Sequence, residues 1–278
     1  MRDPSKRSLL TDLILVILCV LLFGPAQAQY GTLSGDWPSY GGDTGSTKYS
    51  PLDQINAQNF QELEVAWTWT SIDGDLDLEA IQQINEAVRI NNFQGTPLKV
   101  GDKLFIITAL NQVAALDPIN GETLWSFNPE VYLSGSPINY IGYHNRGLAY
   151  WTDGENERIL AGLNDGYLLS LDAATGEPDP AFNGGKIDLA EGLPRATRDV
   201  LDWTGAQPLA VVSPPIVVDD IVVTSSITQA RPINRERPPM WVRGYNIVTG
   251  EHVWDFHTIP EAGEYGVDTW EEESWRRT

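Results

Sequence analysis

Cysteine occurs once in the 278 residues, at Cys19, so no intrachain disulfide can form and the fold must be held by packing. Histidine is almost as scarce, and His144, His252 and His257 show no zinc-ligand spacing. Bases are outnumbered: 18 Lys and Arg face 38 Asp and Glu, giving a net charge of −20. That balance excludes a basic nucleic-acid surface as the main working face. A Gly-rich loop opening a helix is missing too, which leaves nucleotide chemistry without support. Long hydrophobic runs are confined to residues 13–23, too short for a membrane helix of about 20 residues.

Arg2, Lys6 and Arg7 precede that run, and Ala26-Gln27-Ala28 follows it with the small-x-small pattern of a signal-peptidase site. Residues 1–28 therefore read as a signal peptide cleaved after Ala28, with an uncleaved anchor as the alternative. A lipoprotein anchor does not fit, because Cys19 follows Ile17-Leu18 within the apolar segment. The expected location is the periplasm, associated with the inner membrane if the anchor is kept. Residues 29–278 then form a single domain without cysteine.

Ten Trp and 25 Gly are what the chain does contain, and they recur in a pattern. Leu116-Asp117-Pro118-Ile119-Asn120-Gly121-Glu122 is followed by Trp125. Leu171-Asp172-Ala173-Ala174-Thr175-Gly176-Glu177 repeats it, and Tyr245-Asn246-Ile247-Val248-Thr249-Gly250-Glu251 repeats it again before Trp254. Asp or Asn bonds the backbone just ahead of it, and Gly accepts the positive φ that closes the turn, so each unit is a hairpin. A Trp at the same place in successive units can lie across its neighbour and bury a large area.

The three glycines lie 55 and 74 residues apart, against about 40–45 for a minimal propeller blade, so the excess belongs to loops. Strand-like runs at residues 98–110, 158–163 and 216–225 precede the units. The fold class is all-β: a β-propeller of four-stranded blades with Trp-docking repeats. Residues 79–90 read as a short helix through Ala80, Ile84, Ala87 and Val88. Residues 73–77, Asp-Gly-Asp-Leu-Asp, read as a solvated acidic loop, because Leu78 and Ile84 occupy the positions where a calcium loop needs Gly and Glu. Three units, an opening strand near Trp67 to Trp69 and a closing segment near Trp270 to Trp275 make about half of a large propeller. An open half-ring would expose two sheet edges, so the expectation is an N-terminal part of a longer polypeptide.

Several segments resemble the pyrroloquinoline quinone (PQQ) dependent dehydrogenases, in the glucose and quinate branch. They are Asp36-Trp37-Pro38-Ser39-Tyr40-Gly41-Gly42-Asp43, Lys48-Tyr49-Ser50-Pro51-Leu52, Gln94-Gly95-Thr96-Pro97-Leu98, Asn145-Arg146-Gly147-Leu148-Ala149-Tyr150-Trp151, Val242-Arg243-Gly244-Tyr245 and Asp268-Thr269-Trp270. The resemblance implies an eight-bladed propeller, of which this chain is about half. It implies PQQ contacts from Arg146, Gln94, Ser226 and Thr228, with His144 a further candidate at the same mouth. A guanidinium fork suits the three carboxylates and the ortho-quinone of PQQ.

The resemblance also implies Ca²⁺ or Mg²⁺ near the quinone, and it places Gln229 at a metal contact where the family has an acid. An amide there weakens Ca²⁺ binding relative to a carboxylate. Tyr140-Ile141 stand where the alcohol dehydrogenase branch has two adjacent cysteines, which points away from methanol and ethanol as substrates. No catalytic residue is assigned, since the family's catalytic Asp, stacking Trp and metal-binding Asn are expected beyond residue 278. The implied activity is oxidation of a sugar or polyol hydroxyl, with electrons passing to a respiratory quinone. A noncatalytic propeller acting as an assembly scaffold is the alternative, and it would be favoured if Arg146 sat in a surface salt bridge far from Gln94.

Overall fold

The three Asp/Asn-x-x-x-Gly units fold into one turn, repeated. The Gly121 N–H donates to Asp117 O at 2.8 Å, Gly176 to Asp172 O at 2.8 Å and Gly250 to Asn246 O at 2.9 Å. Each acidic or amide side chain accepts from the amide two residues ahead: Ile119 at 2.7 Å, Ala174 at 3.0 Å and Val248 at 2.9 Å. The glycines close the turns at φ of 76°, 77° and 76°, a region that a side chain makes costly. The Glu after each Gly returns its carbonyl to the amide of the Asp or Asn, at 2.8, 2.9 and 2.8 Å.

The computed structural model describes residues 32, 35–90, 92–138, 142–194, 208–228 and 238–277. Strands β1 (Leu98–Val100), β2 (Lys103–Ile107), β3 (Val113–Leu116) and β4 (Thr123–Phe127) form the first sheet. The second holds β5 (Ala149–Thr152), β6 (Glu157–Gly162), β7 (Tyr167–Asp172) and β8 (Lys186–Asp188). The third holds β9 (Ile216–Val218), β10 (Ile221–Ser225), β11 (Val242–Asn246) and β12 (His252–Phe256). Each sheet is an antiparallel meander in chain order, so the expected four-stranded blades are present.

The second blade is buried on both faces. Along β6, Ile159 and Ala161 join a cluster with Phe105, Ile107, Val113 and Ala115 of blade 1, whereas Leu160 turns to Val222, Tyr245 and Ile247 of blade 3. This is the period-two alternation of a strand between two packed layers. Ile159, Leu160 and Leu168 are fully buried, each contributing about 1.5–3 kcal/mol of transfer free energy. Blade 3, in contrast, leaves all of β12 exposed.

Four expectations need correction. The helix α1 runs only over Leu78–Ile84, capped by Asp77, and it buries Ile81 while Ile84 faces solvent. It ends because the Asn85 side chain turns inward to donate to Tyr132 O at 2.9 Å and Gly135 O at 2.7 Å. Asp73 is not solvated: it is fully buried and accepts from Thr108 Oγ1 at 2.7 Å, Gln112 Nε2 at 2.8 Å and Leu110 N at 3.1 Å. Residues 67–69, expected as an opening strand, pair with no strand among the described residues; the closing segment consists of the 3-10 turns Val267–Thr269 and Glu271–Arg277. Trp254 lies over Gly244 of its own blade instead of docking on a neighbour among the described residues; a Cβ on Gly244 would stand 2.3 Å from its ring. Trp125 docks on the Gly176 turn of the neighbouring blade as the repeats lead one to expect, and Trp151 of β5 is buried in the cluster shared by blades 2 and 3.

Candidate functional site

The segments that lead into the first strand of each blade are stitched together by backbone hydrogen bonds. Thr96 N donates to Arg146 O at 2.9 Å, and Thr96 and Gly147 form a parallel bridge. Arg146 N donates to Val212 O at 3.1 Å. Two residues earlier, Ala210 exchanges hydrogen bonds with Ile227, at 3.0 and 2.7 Å. Gln94, Arg146, Ser226 and Thr228 thus stand within two residues of one continuous ladder across three blades, although they are spread over 135 positions of sequence.

Arg146 supplies the positive charge of this rim. Its side chain is exposed, and among the described residues no carboxylate pairs with it; its Nη1 donates to Ser213 Oγ at 3.2 Å. Gln94 is exposed, Thr228 is half-buried and Ser226 is buried. Tyr40 reaches the same rim from the opening segment, its ring 3.5 Å from where a Cβ on Gly147 would lie. That segment is held against β1 by the Trp37–Lys99 bridge and by the Lys99–Asp36 ion pair at 2.8 Å.

Beneath the rim runs a layer of buried amides. Asn145 donates to Gly162 O at 2.6 Å and accepts from Gly147 N at 3.1 Å, which fixes the backbone on either side of Arg146. Asn164 donates to His144 O at 2.9 Å and to Val211 O at 3.0 Å, and its own amide is held by Asn111 Oδ1 at 2.8 Å. Fully satisfied buried networks of this kind rigidify what they support. His144 belongs to this layer and not to the mouth: it is buried, with Nδ1 3.0 Å from Gly142 O. Burial pushes the nearby Tyr143 phenol well above its ordinary pKa.

Sequence reasoning missed Ser213, Tyr40 and the amide layer. A signal for the last was present, because Leu110-Asn111-Gln112 and Leu163-Asn164-Asp165 occupy the same hairpin of successive blades. Ser213 carried no such mark. Gln229, the metal candidate, lies outside the described residues, as do Tyr140, Ile141 and residues 1–28. Among the described residues no group of three or more His, Cys, Asp or Glu is placed to hold a metal ion.

A family model described as the glucose/ethanol/alcohol dehydrogenase β-propeller domain of PQQ proteins matches residues 37–278. The chain belongs to the PQQ-dependent dehydrogenase β-propeller family. Quinoprotein glucose dehydrogenase A of Acinetobacter calcoaceticus is 33% identical over 253 residues, covering 84% of this chain and 29% of the relative. The glycerol dehydrogenase large subunit of Gluconobacter thailandicus is 30% identical over 236 residues, covering 82% of this chain and 29% of the relative. The chain thus spans less than a third of these curated relatives. Among solved structures, a quinohemoprotein alcohol dehydrogenase of Pseudomonas putida superimposes with a TM-score of 0.58 at 22% identity, over 81% of this chain and 27% of the other, which establishes the fold alone. The sequence resemblance to PQQ proteins is therefore confirmed at the level of family and glucose-type branch.

Proposed function

We propose that residues 29–278 form part of the cofactor-holding wall of a PQQ-dependent dehydrogenase that oxidises a sugar or polyol hydroxyl. The observation that carries this reading is the Arg146 guanidinium, paired with no carboxylate among the described residues, on a rim shared with Gln94, Ser213, Ser226 and Thr228. The donor set fits the group: one cation positioned by Ser213, an amide and the hydroxyls of Ser226 and Thr228 would face an aromatic tricarboxylate. When bound, PQQ supplies the two-electron acceptor for the hydride that leaves the substrate carbon. Arg146 would hold a carboxylate or quinone oxygen, Gln94 and the hydroxyls would fix the in-plane orientation, and the amide layer would keep the rim from yielding.

The relatives named for glucose and glycerol support a polyhydroxylated substrate, and a respiratory quinone is the proposed electron acceptor. The proposed location is the periplasm, on the strength of residues 1–28. Among the described residues no helix is long and apolar enough to cross a membrane. The scaffold alternative would be favoured by Arg146 in a surface ion pair far from Gln94, and Arg146 makes none with a described residue.

The test is equilibrium binding of PQQ by absorbance, combined with dye reduction by the chain extended through the remainder of a family member, with glucose, glycerol and quinate. Arg146→Ala is expected to weaken PQQ binding about 10- to 100-fold, as loss of a charge-assisted contact does. Equal binding by the parent and the variant would overturn the reading.

A further inference from the structure

Asn85 is buried and engaged at every polar atom. Its N–H donates to Ile81 O at 2.9 Å, its carbonyl accepts from Val88 N at 3.2 Å, and Oδ1 accepts from Ala87 N at 3.2 Å. The carboxamide nitrogen donates to Tyr132 O at 2.9 Å, Gly135 O at 2.7 Å and the Tyr143 hydroxyl at 3.0 Å. Two of these acceptors are carbonyls, and the third has its own proton committed to Gly135 O. Only a side chain with hydrogens to give fits the position; a carboxylate has none.

The three acceptors belong to the crossover between blades 1 and 2. Tyr132 and Tyr143 bury their rings with Ile81 and Val131 in the core cluster of those blades, and Asn128 Nδ2 donates to the Tyr132 hydroxyl at 2.8 Å. Tyr143 stands three residues ahead of Arg146, with His144 and Asn145 of the amide layer between them. Asn85 stands nine residues ahead of Gln94. On the way, Val88 is fully buried in the same cluster, and its carbonyl accepts from Gln82 Nε2 at 2.9 Å. Past Gln94 the chain is pressed onto β2: a Cβ on Gly95 would stand 2.5 Å from Ile107 O.

The segments that enter the rim at Gln94 and at Arg146 are thus joined at two levels, by the Thr96 N–Arg146 O hydrogen bond at the rim and by the Asn85 carboxamide away from it. One backbone hydrogen bond alone lets two segments pivot about it, and a second, buried tie removes that freedom. We infer that Asn85 is a positioning residue for the rim: its carboxamide, acting through Tyr143, sets the separation of Gln94 and Arg146 that a planar cofactor meets. What the rim binds rests on the cofactor reading; how the rim is held does not.

Amide hydrogen exchange and PQQ titration, both on the chain extended through the remainder of a family member, test the inference. Asn85→Ala is expected to speed exchange about 10-fold in peptides covering residues 94–98 and 143–148, while β6 and β7 exchange as in the parent. PQQ affinity should fall about 10-fold with Asn85→Ala, and the same change should do nothing further once Gln94 and Arg146 are both replaced by alanine, because Asn85 acts through them. Tyr143→Phe, which deletes one hydroxyl and keeps the buried ring, should reproduce both effects at about 3-fold, and it carries the test if Asn85→Ala does not fold. Unchanged exchange at the rim in a folded variant would overturn the inference. So would faster exchange spread evenly over β6 and β7, or an affinity loss that persists in full without Gln94 and Arg146. If Arg146→Ala binds PQQ as the parent does while Asn85→Ala still speeds exchange at the two rim segments alone, the cofactor reading falls and the tie stands.

Discussion

Both blade junctions are apolar layers, but blade 1 is pinned to blade 2 by an aromatic ring, whereas blade 2 is pinned to blade 3 by guanidinium groups that donate to carbonyls across the junction. At the first junction Trp125 lies on the Gly176 turn and donates to Ala173 O. At the second the corresponding position, four residues after Gly176, is Pro180, and Asn183 covers Gly250 instead. Two buried arginines take over. Arg158 pairs with Asp179 at 2.5 Å, donates to Ile247 O of blade 3 and lies 5.2 Å from the Trp151 ring. Arg243 of blade 3 pairs with Asp255 at 2.7 Å and donates to Glu191 O of blade 2 at 2.9 Å. The turn is common to all the blades, but the bolt is not. In blade 2 residues 178–185 intervene between the turn and β8, so no β8 residue stands where Trp125 does, and the guanidinium groups satisfy carbonyls in its place.

The largest expected break of this contrast is Trp125→Ala, which removes the ring and its hydrogen bond and should cost about 3 kcal/mol in denaturant unfolding. Gly176→Ala should approach that value, since the new Cβ meets Trp125 and adds roughly 1–2 kcal/mol of left-handed strain. Gly250→Ala, whose Cβ would stand 3.2 Å from Asn183 Cβ, should show little beyond the strain alone, and equal losses at the two glycines would contradict the contrast. Arg243→Met keeps the packing of the stem but strands Asp255, and a loss of about 2 kcal/mol is expected.

Acid sharpens the same comparison. Burial raises the Asp255 carboxyl, but its hydrogen bonds to Arg243 and His252 outweigh that and hold it below 3.8. A depressed carboxylate stabilises the fold above its unfolded pKa, and that contribution is lost as pH falls through the folded one. Below about pH 4 the second junction should therefore loosen ahead of the first, visible as earlier exchange of β11 and β12 amides than of β4. The smallest effect concerns the rim. Ser213→Ala should weaken PQQ binding about 5-fold, and in the Arg146→Ala background it should change nothing further, because Ser213 acts through the guanidinium. An undiminished effect in the double variant would show that Ser213 contacts the cofactor by itself.

Much of the fold was legible because its signals are local. An Asp/Asn-x-x-x-Gly turn is decided within five residues by one side chain and one φ, and it reads the same wherever it stands. The helix at residues 78–84 was misjudged at its end for the opposite reason: Asn85 stops it by bonding Tyr132 and Gly135, some fifty positions away. Asp73 looked like solvent because its neighbours Asp75 and Asp77 are exposed, and only the β2–β3 hairpin that supplies Thr108, Leu110 and Gln112 makes it a buried anchor. His144 lies only two positions from Arg146 in sequence, yet it is buried in the amide layer with Nδ1 3.0 Å from Gly142 O, a placement that proximity in sequence does not reveal.

The rim divides the same way. Arg146 and Gln94 were found through family motifs, which are short stretches of sequence; Ser213 and Tyr40 needed the ladder that joins three blades. The sequence by itself determined the class of the fold, the number and kind of its turns, the glycines that close them and the family to which the chain belongs. Only the tertiary structure decided which ring covers which glycine, where charge replaces indole between blades, and which hydroxyl holds Arg146. The former follow from backbone conformation and short-range hydrogen bonds; the latter depend on contacts across 50 or more residues, whose partners are chosen by packing and leave no period in the chain.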